Sequence, residues 1–346
     1  MPTVRILKMK PEYFRTFVES LDKFGTLYGP VYRNGVLTWD TPESFDDLVF
    51  GGEHTMIPIK KLFHPPRFDM FRFDSDGFTP DYSSIEKRVI VGVPPCEIHS
   101  LLRLDEVFME KPVDPYYAKQ RENSAIIGYS CLPSENCFCK STGTDIVEEG
   151  FDLFFVDLGE FYLVWVGSSL GHDMVLVHED YFDDNVTHDD IKKYIAWRKK
   201  RDGMFTKSFD FRSMPDLMEL SYDSPIWEQF AEKCLSCGQC TMVCPTCNCY
   251  NVTDIPDVSD TLSGRRERHW DSCMFVDYSL VAGGHNFRGA RADRLKLWYT
   301  HKLRAYASEY GKPACVGCGR CVETCPVEIN VLTVAEALVT MEVPAR

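Results

Sequence analysis

Eight cysteines in the C-terminal third of the chain fall into two runs with the same spacing. Each run reads C-x2-C-x2-C-x3-C and is followed directly by a proline. The runs contain Cys234, Cys237, Cys240 and Cys244, and then Cys315, Cys318, Cys321 and Cys325. Thiolates at this spacing hold the 4Fe-4S clusters of two-cluster ferredoxins, so the two runs predict one-electron transfer.

The fourth cysteine of each run is set apart from the first three. In two-cluster ferredoxins it ligates the neighbouring cluster. The spacing therefore predicts a first 4Fe-4S cluster on Cys234, Cys237, Cys240 and Cys325. It predicts a second cluster on Cys315, Cys318, Cys321 and Cys244. Structural zinc also uses C-x2-C pairs and is the alternative, but zinc would leave ligands over in runs of this composition.

Four further cysteines follow two predicted strands of the N-terminal half. Apolar runs at 88–93 and 125–129 predict buried strands, and residues 98–109 predict the helix between them. This order favours a parallel pair, and open α/β sheets carry ligands at the carboxyl ends of such strands. The cysteines beyond these ends are Cys96, Cys131, Cys137 and Cys139. They predict a third 4Fe-4S cluster; the alternative is four reduced cysteines, some of them simply buried.

Composition and charge narrow the class of protein. The chain has 346 residues, 44% of them hydrophobic, which is enough for two domains with a sizeable core. Its formal charge of -14 argues against a general nucleic-acid binder, because phosphate contacts need an excess of Lys and Arg. The sequence shows neither a signal peptide nor a run of 18 apolar residues. We therefore expect a cytoplasmic protein without a membrane span, whose fifteen cysteines serve metal binding rather than disulfides.

The elements that must position these cysteines predict an α+β fold with two domains. Residues 1–225 predict an N-terminal α/β domain with the additional iron–sulfur site and with hairpins over 31–39 and 151–167. Residues 226–346 predict an α-helical ferredoxin domain with two 4Fe-4S clusters. The reason is the 70 residues, 245–314, between the two runs, within which a helical pattern occupies 291–310 and stops at Gly311.

Several segments, in order along residues 88–330, resemble the 4Fe-4S dicluster family. They are V-P-P-C-E-I-H-S-L around Cys96, C-L-P-S-E-N-C-F-C ending at Cys139, C-P-T-C-N-C from Cys244, D-S-C at Cys273, A-G-G-H-N-F-R, and C-V-G-C-G-R-C from Cys315. That family includes the beta subunit of cytoplasmic NAD(P)-linked nickel–iron hydrogenases and an iron–sulfur component of anaerobic sulfite reductase. Similar proteins feed heterodisulfide reductase.

The resemblance implies an electron-transfer subunit without a substrate site of its own. It implies one partner with FAD, an NAD(P) site and a 2Fe-2S cluster, and a second partner with the terminal catalytic centre. That centre is expected to be a nickel–iron hydrogenase, with sulfite reductase or heterodisulfide reductase as alternatives. The resemblance also favours the third cluster, because Cys96, Cys131, Cys137 and Cys139 all fall in family motifs.

Other classes of function find less support in the sequence. The chain has no dinucleotide-binding glycine fingerprint and no nucleophile motif. A sirohaem enzyme would need a C-x3-C pair, but both such pairs, Cys240 with Cys244 and Cys321 with Cys325, belong to the ferredoxin runs. A redox sensor is disfavoured because two adjacent clusters suit through-transfer. Cys247, Cys249 and Cys273 have no assigned role, and small buried residues are the simplest interpretation of them.

Overall fold

The computed structural model describes residues 5–52, 54–260 and 262–343. Its strands are β1 (Arg5–Met9), β2 (Thr26–Arg33), β3 (Val36–Asp40), β4 (Arg67–Asp74), β5 (Gly77–Pro80), β6 (Arg88–Val93), β7 (Ser124–Tyr129), β8 (Leu153–Asp157), β9 (Tyr162–Val166), β10 (Phe182–Asp183), β11 (Tyr250–Pro256) and β12 (Gly264–Trp270). Its α-helices are α1 (Pro11–Ser20), α2 (Lys60–Phe63), α3 (Pro95–Phe108), α4 (Pro115–Glu122), α5 (Ser169–Leu176), α6 (His188–Asp202), α7 (Met214–Leu220), α8 (Ile226–Lys233), α9 (Gln239–Met242), α10 (Arg291–Thr300), α11 (Tyr306–Tyr310), α12 (Arg320–Thr324) and α13 (Val331–Thr340). This mixture of helices and strands agrees with the predicted α+β class.

The larger sheet has eight strands in the described ranges, in the order β10-β1-β9-β8-β7-β6-β2-β3. Its centre, β8-β7-β6-β2, is parallel, and the outer pairs are antiparallel. Side chains of β6 alternate between the two faces. Val89 and Val91 join a core with Phe14 of α1, whereas Ile90 joins a core with Ile98 of α3. Helices therefore cover both faces, as the apolar central strands require.

The predicted strand, helix and strand around the first cysteine loop are confirmed. Strands β6 and β7 are parallel neighbours, with Ile90 opposite Ile126. Their carboxyl ends therefore lie at the same edge of the sheet, where α3 begins and the chain leaves β7. Cys96 and Cys131 follow these two ends.

The smaller sheet has the order β11-β12-β4-β5 in the described part of the chain. Strands β4 and β5 lie in the N-terminal half, while β11 and β12 lie between the two cysteine runs. The sequence predicted mostly helix for that interval, and this ribbon was missed. Its strands are largely exposed and rich in charge, as in Arg265, Arg266 and Glu267, so they lack an apolar alternation. The sheet joins segments from both sides of residue 225, and the division into two domains stays a prediction.

The helical pattern over 291–310 forms a continuous helical segment with one irregularity. Between α10 and α11, residues His301–Ala305 form a π-helical turn, and Gly311 ends the segment in the left-handed region at φ 67°. The widened turn carries Lys302, which is buried. Trp298, Tyr299 and Leu303 of the same segment belong to a third core that surrounds the ferredoxin-type cysteines. None of the helices in the described ranges is long and apolar enough to cross a membrane.

Candidate iron–sulfur centres

The first group of cysteines surrounds a single cavity. Its lining includes all four sulfur residues predicted for the first cluster, Cys234, Cys237, Cys240 and Cys325. Helix α8 ends directly before Cys234, and Gly238 turns the chain at φ 75° into α9. A Cβ at Gly238 would stand 2.6 Å from the ring of Phe275, so only glycine fits this turn. The predicted cross-pairing, in which Cys325 joins three cysteines of the earlier run, agrees with this geometry.

Backbone amides point at several of these sulfur atoms. Ser236 N donates to Cys234 Sγ at 3.4 Å, and Ile329 N donates to Cys325 Sγ at 3.2 Å. In the second group, Gly317 N donates to Cys315 Sγ at 3.4 Å. Hydrogen bonds of this kind stabilise thiolates and tune the reduction potential of a cluster bound to them.

The second group consists of buried cysteines that interact through their charges. Burial raises the pKa of Cys315 to about 12 and that of Cys318 to about 11, and the thiolate of Cys244 adds to both shifts. Burial also raises the pKa of Cys321, and Cys315, Cys318 and Cys244 raise it further. Cys244 is the exception: contact with Cys247 and the charges of Lys302 and Lys60 lower its pKa. These four residues are the predicted ligands of the second cluster.

The third group brings the N-terminal cysteines together. Cys96 lies in the first turn of α3, and Cys139 begins a short 3-10 turn. Burial raises the pKa of Cys96, and Cys139, Cys318 and Cys131 raise it further, in that order. Cys137 donates from Sγ to the carbonyl oxygen of Cys318 at 3.9 Å. The third group therefore lies beside the second, with Cys318 at the junction.

Buried cations surround the second and third groups. Arg320, which precedes Cys321, forms an ion pair with Glu97, which follows Cys96, and both side chains are essentially inaccessible. Arg201 donates from Nε to the carbonyl oxygen of Cys131 at 2.8 Å and forms an ion pair with Asp145. Two lysines, Lys60 and Lys302, are also fully buried.

The two lysines differ from the arginines because no carboxylate in the described ranges forms an ion pair with either of them. Lys60 Nζ donates to the carbonyl oxygen of Cys247 at 2.9 Å, and Lys302 Nζ donates to Thr246 Oγ1 at 2.7 Å. Burial lowers the pKa of Lys60. The same effect acts on Lys302, but the thiolates of Cys244 and Cys247 outweigh it and raise its pKa overall.

These residues fit 4Fe-4S clusters. Thiolate is the ligand that such clusters take, and a cluster with four thiolates is an anion. It would offset the buried positive charges that neutral thiols leave uncompensated. Arg320 Nη1 is buried without a hydrogen-bond partner, on a side chain next to Cys318. The part of the chain that the structure describes contains no set of three His, Cys, Asp or Glu side chains close enough for a single metal ion, so the zinc alternative gains no support.

The structure also locates the three cysteines without an assigned role. The ribbon β11–β12 brings its two ends together, with Asp271 N donating to the carbonyl oxygen of Cys249 at 3.1 Å. Cys249 thereby contacts Cys273, and this contact, together with Tyr278, lowers the pKa of Cys249 to about 6. Trp298 Nε1 donates to Cys247 Sγ at 3.4 Å. Sequence reasoning missed this grouping because it missed the ribbon.

The buried cations are the functional residues that the sequence did not reveal. Arg320 lies inside the motif C-V-G-C-G-R-C, so its position between two ligands was an available signal. Lys302 follows the apolar side of a predicted helix, and a lysine there is ordinarily taken as exposed. Lys60 lies in a loop-rich stretch that carries no comparable signal.

Fold and cysteine geometry together define an iron–sulfur protein of the ferredoxin type. Residues 233–329 match the model of a family described as a 4Fe-4S dicluster domain. The chain is 41% identical over 331 residues to Sulfhydrogenase 2 subunit beta of Pyrococcus furiosus, an alignment that covers 94% of this chain and 96% of that subunit. The chain belongs to the family of that beta subunit. It is an iron–sulfur electron-transfer protein that carries 4Fe-4S clusters.

Proposed function

We propose that this protein is the electron-relay subunit of a hydrogenase complex. One partner supplies FAD, an NAD(P) site and a 2Fe-2S cluster, and a second partner carries the nickel–iron catalytic centre. The name of the relative from Pyrococcus furiosus, a sulfhydrogenase subunit, supports this assembly over one with sulfite reductase or heterodisulfide reductase. The proposal assigns three 4Fe-4S clusters to the chain, one for each group of four cysteines.

The observation that carries the proposal is the serial arrangement of the three groups. Cys240 of the first group and Cys244 of the second are close enough for their charges to interact. Cys318 of the second group interacts in the same way with Cys96 of the third. The second group is therefore the middle member of a row, which suits the passage of electrons from one end to the other.

The chain's own side chains perform three tasks in this relay. Twelve cysteines hold the clusters, and each bound 4Fe-4S cluster supplies a site that takes up and releases one electron. Trp298, Tyr299 and Met274 line the cavity of the first group and exclude water from it. Arg201 and Arg320 place positive charge beside the third group and the second group, respectively.

The test uses the whole complex with Cys240→Ser in this subunit. We expect NAD(P)-linked activity to fall at least tenfold, while reduction of an artificial dye by the catalytic partner alone continues. Cys249→Ser, a substitution of the same type outside the three groups, serves as the matched control and retains both activities. NAD(P)-linked activity that survives Cys240→Ser would show that electrons do not pass through the first group.

A further inference from the structure

Lys302 is connected to the second cysteine group through a single hydroxyl. Its Nζ donates to Thr246 Oγ1 at 2.7 Å, and Thr246 Oγ1 lies 3.4 Å from Cys244 Sγ. The π-helical turn at His301–Ala305 carries Lys302, whose side chain is 1% exposed. An ordinary α-helical continuation would rotate this position by the width of one residue, so the irregular turn aims the ammonium group at Cys244.

The charge on Lys302 has no carboxylate partner among the described residues. A buried ammonium group is costly unless an anion offsets it. The nearest candidates are the sulfur atoms of Cys244, Cys247 and Cys315, with which Lys302 interacts electrostatically. Two of these three, Cys244 and Cys315, are ligands in the second group. The buried lysine therefore faces the place where the proposed function puts an anionic cluster.

The first group has no comparable cation within the ranges that the structure describes. Its cavity is lined by apolar and aromatic side chains, among them Met274, Leu295 and Trp298. The cation that acts on Cys234 is Arg291, which is exposed and screened by solvent. A fixed positive charge stabilises the reduced, more negative form of a redox centre, and it does so more strongly when both are buried. The two groups are therefore electrostatically unequal.

We propose that Lys302 sets the reduction potential of the cluster on Cys244, Cys315, Cys318 and Cys321 and raises it above that of the cluster on the first group. The middle member of the relay then holds the electron most firmly and acts as its reservoir. Lys302 is a positioning residue in this account, because it acts on the cluster through charge and through Thr246. The inference rests on the proposed function, since it presupposes both clusters.

The experiment is a redox titration of the full chain, purified without oxygen and followed by electron paramagnetic resonance. Lys302→Met removes the charge but keeps most of the side-chain volume, Lys302→Arg keeps the charge, and Lys296→Met removes a lysine on the preceding turn that stacks on Tyr222. At the wild-type midpoint of the second-group cluster, we expect Lys302→Met to lower its reduced-to-oxidised ratio about tenfold, which is 59 mV for a one-electron couple. Lys302→Arg and Lys296→Met should leave this ratio within about twofold of wild type.

The outcomes separate the inference from the function beneath it. An unchanged midpoint in Lys302→Met with full iron content overturns the inference and leaves the relay standing. A wild-type chain with iron for fewer than two clusters overturns the relay itself. If Lys302→Met loses iron, a second variant decides: Cys240→Ser removes the first-group cluster and must leave the couple of highest potential between these two. Loss of that couple in Cys240→Ser would overturn the inference.

Discussion

Gly317 of the second cysteine group lies directly against the backbone of Cys139 in the third. Phe138 N donates to the carbonyl oxygen of Gly317 at 2.8 Å, and a Cβ at Gly317 would stand 2.5 Å from the Cα of Cys139. Gly317 also has φ 62°, in the left-handed region that favours glycine. Two loops almost 180 residues apart in sequence are thus in backbone contact, which requires a residue without a side chain.

We expect Gly317→Ala to separate these two loops. The added methyl group meets backbone atoms, which cannot move as a flexible side chain can, and such overpacking costs about 1–3 kcal/mol in the free energy of unfolding. Iron content should fall as the third group loses its alignment. Anaerobic unfolding by denaturant, with iron analysis, measures both effects. Gly289→Ala is the control, since Gly289 has open space around it and no positive φ; equal behaviour of the two variants would contradict the contact.

The ion pair between Glu97 and Arg320 predicts a large effect on stability. Arg320 also donates from Nε to the carbonyl oxygen of Thr55 at 2.7 Å, so the guanidinium group cannot turn away when its partner is lost. Glu97→Gln leaves a buried charge uncompensated, and removal of one member of a buried pair costs about 3–5 kcal/mol. Denaturant unfolding of the chain measures this loss.

An exposed pair provides the comparison for Glu97→Gln. Asp254 binds Arg266 through two hydrogen bonds at 2.7 Å on the outer ribbon. Asp254→Asn should leave the free energy of unfolding nearly unchanged, because solvent screens exposed pairs. A stability loss in Asp254→Asn as large as that in Glu97→Gln would mean that burial does not decide the strength of these contacts.

Cys137→Ser tests the third group of cysteines. Its sulfur contacts Ser134 Oγ at 3.2 Å and Cys318 O at 3.9 Å, so serine fits the position without steric conflict. If Cys137 is a ligand, iron content should fall by about four atoms per chain, one cluster. Cys249→Ser, outside the three groups, should retain all its iron. Equal iron in Cys137→Ser and wild type would refute the assignment of this residue as a ligand.

The sequence predicted what depends on local spacing. The two runs from Cys234 and Cys315 announced their chemistry because three thiolates two residues apart wrap around one cluster. The buried strands β6 and β7 were also predictable, since they are apolar and end at a shared edge. What escaped prediction depends on contacts between distant segments. The ribbon β11–β12 is charged and exposed, and the partner of β12 is β4, about 200 residues away in sequence.

Buried charges escaped prediction for a related reason. A lysine in a helical pattern is usually exposed, and nothing near Lys302 in sequence marks it as buried. Its burial follows from the π-helical turn and from Cys244, which lies on a different segment. Likewise, Glu97 and Arg320 form a pair only because α3 and α12 meet in space. Such residues become visible when tertiary structure brings their partners together.

The most direct test of the three-cluster relay is the amount of iron and acid-labile sulfide per chain, in protein purified without oxygen. We predict about twelve atoms of each, three cubes of four, with electron paramagnetic resonance signals of interacting 4Fe-4S clusters in the reduced protein. About eight atoms of each would confine the clusters to the two ferredoxin-type groups. Cys96, Cys131, Cys137 and Cys139 would then hold no cluster, which would contradict the account.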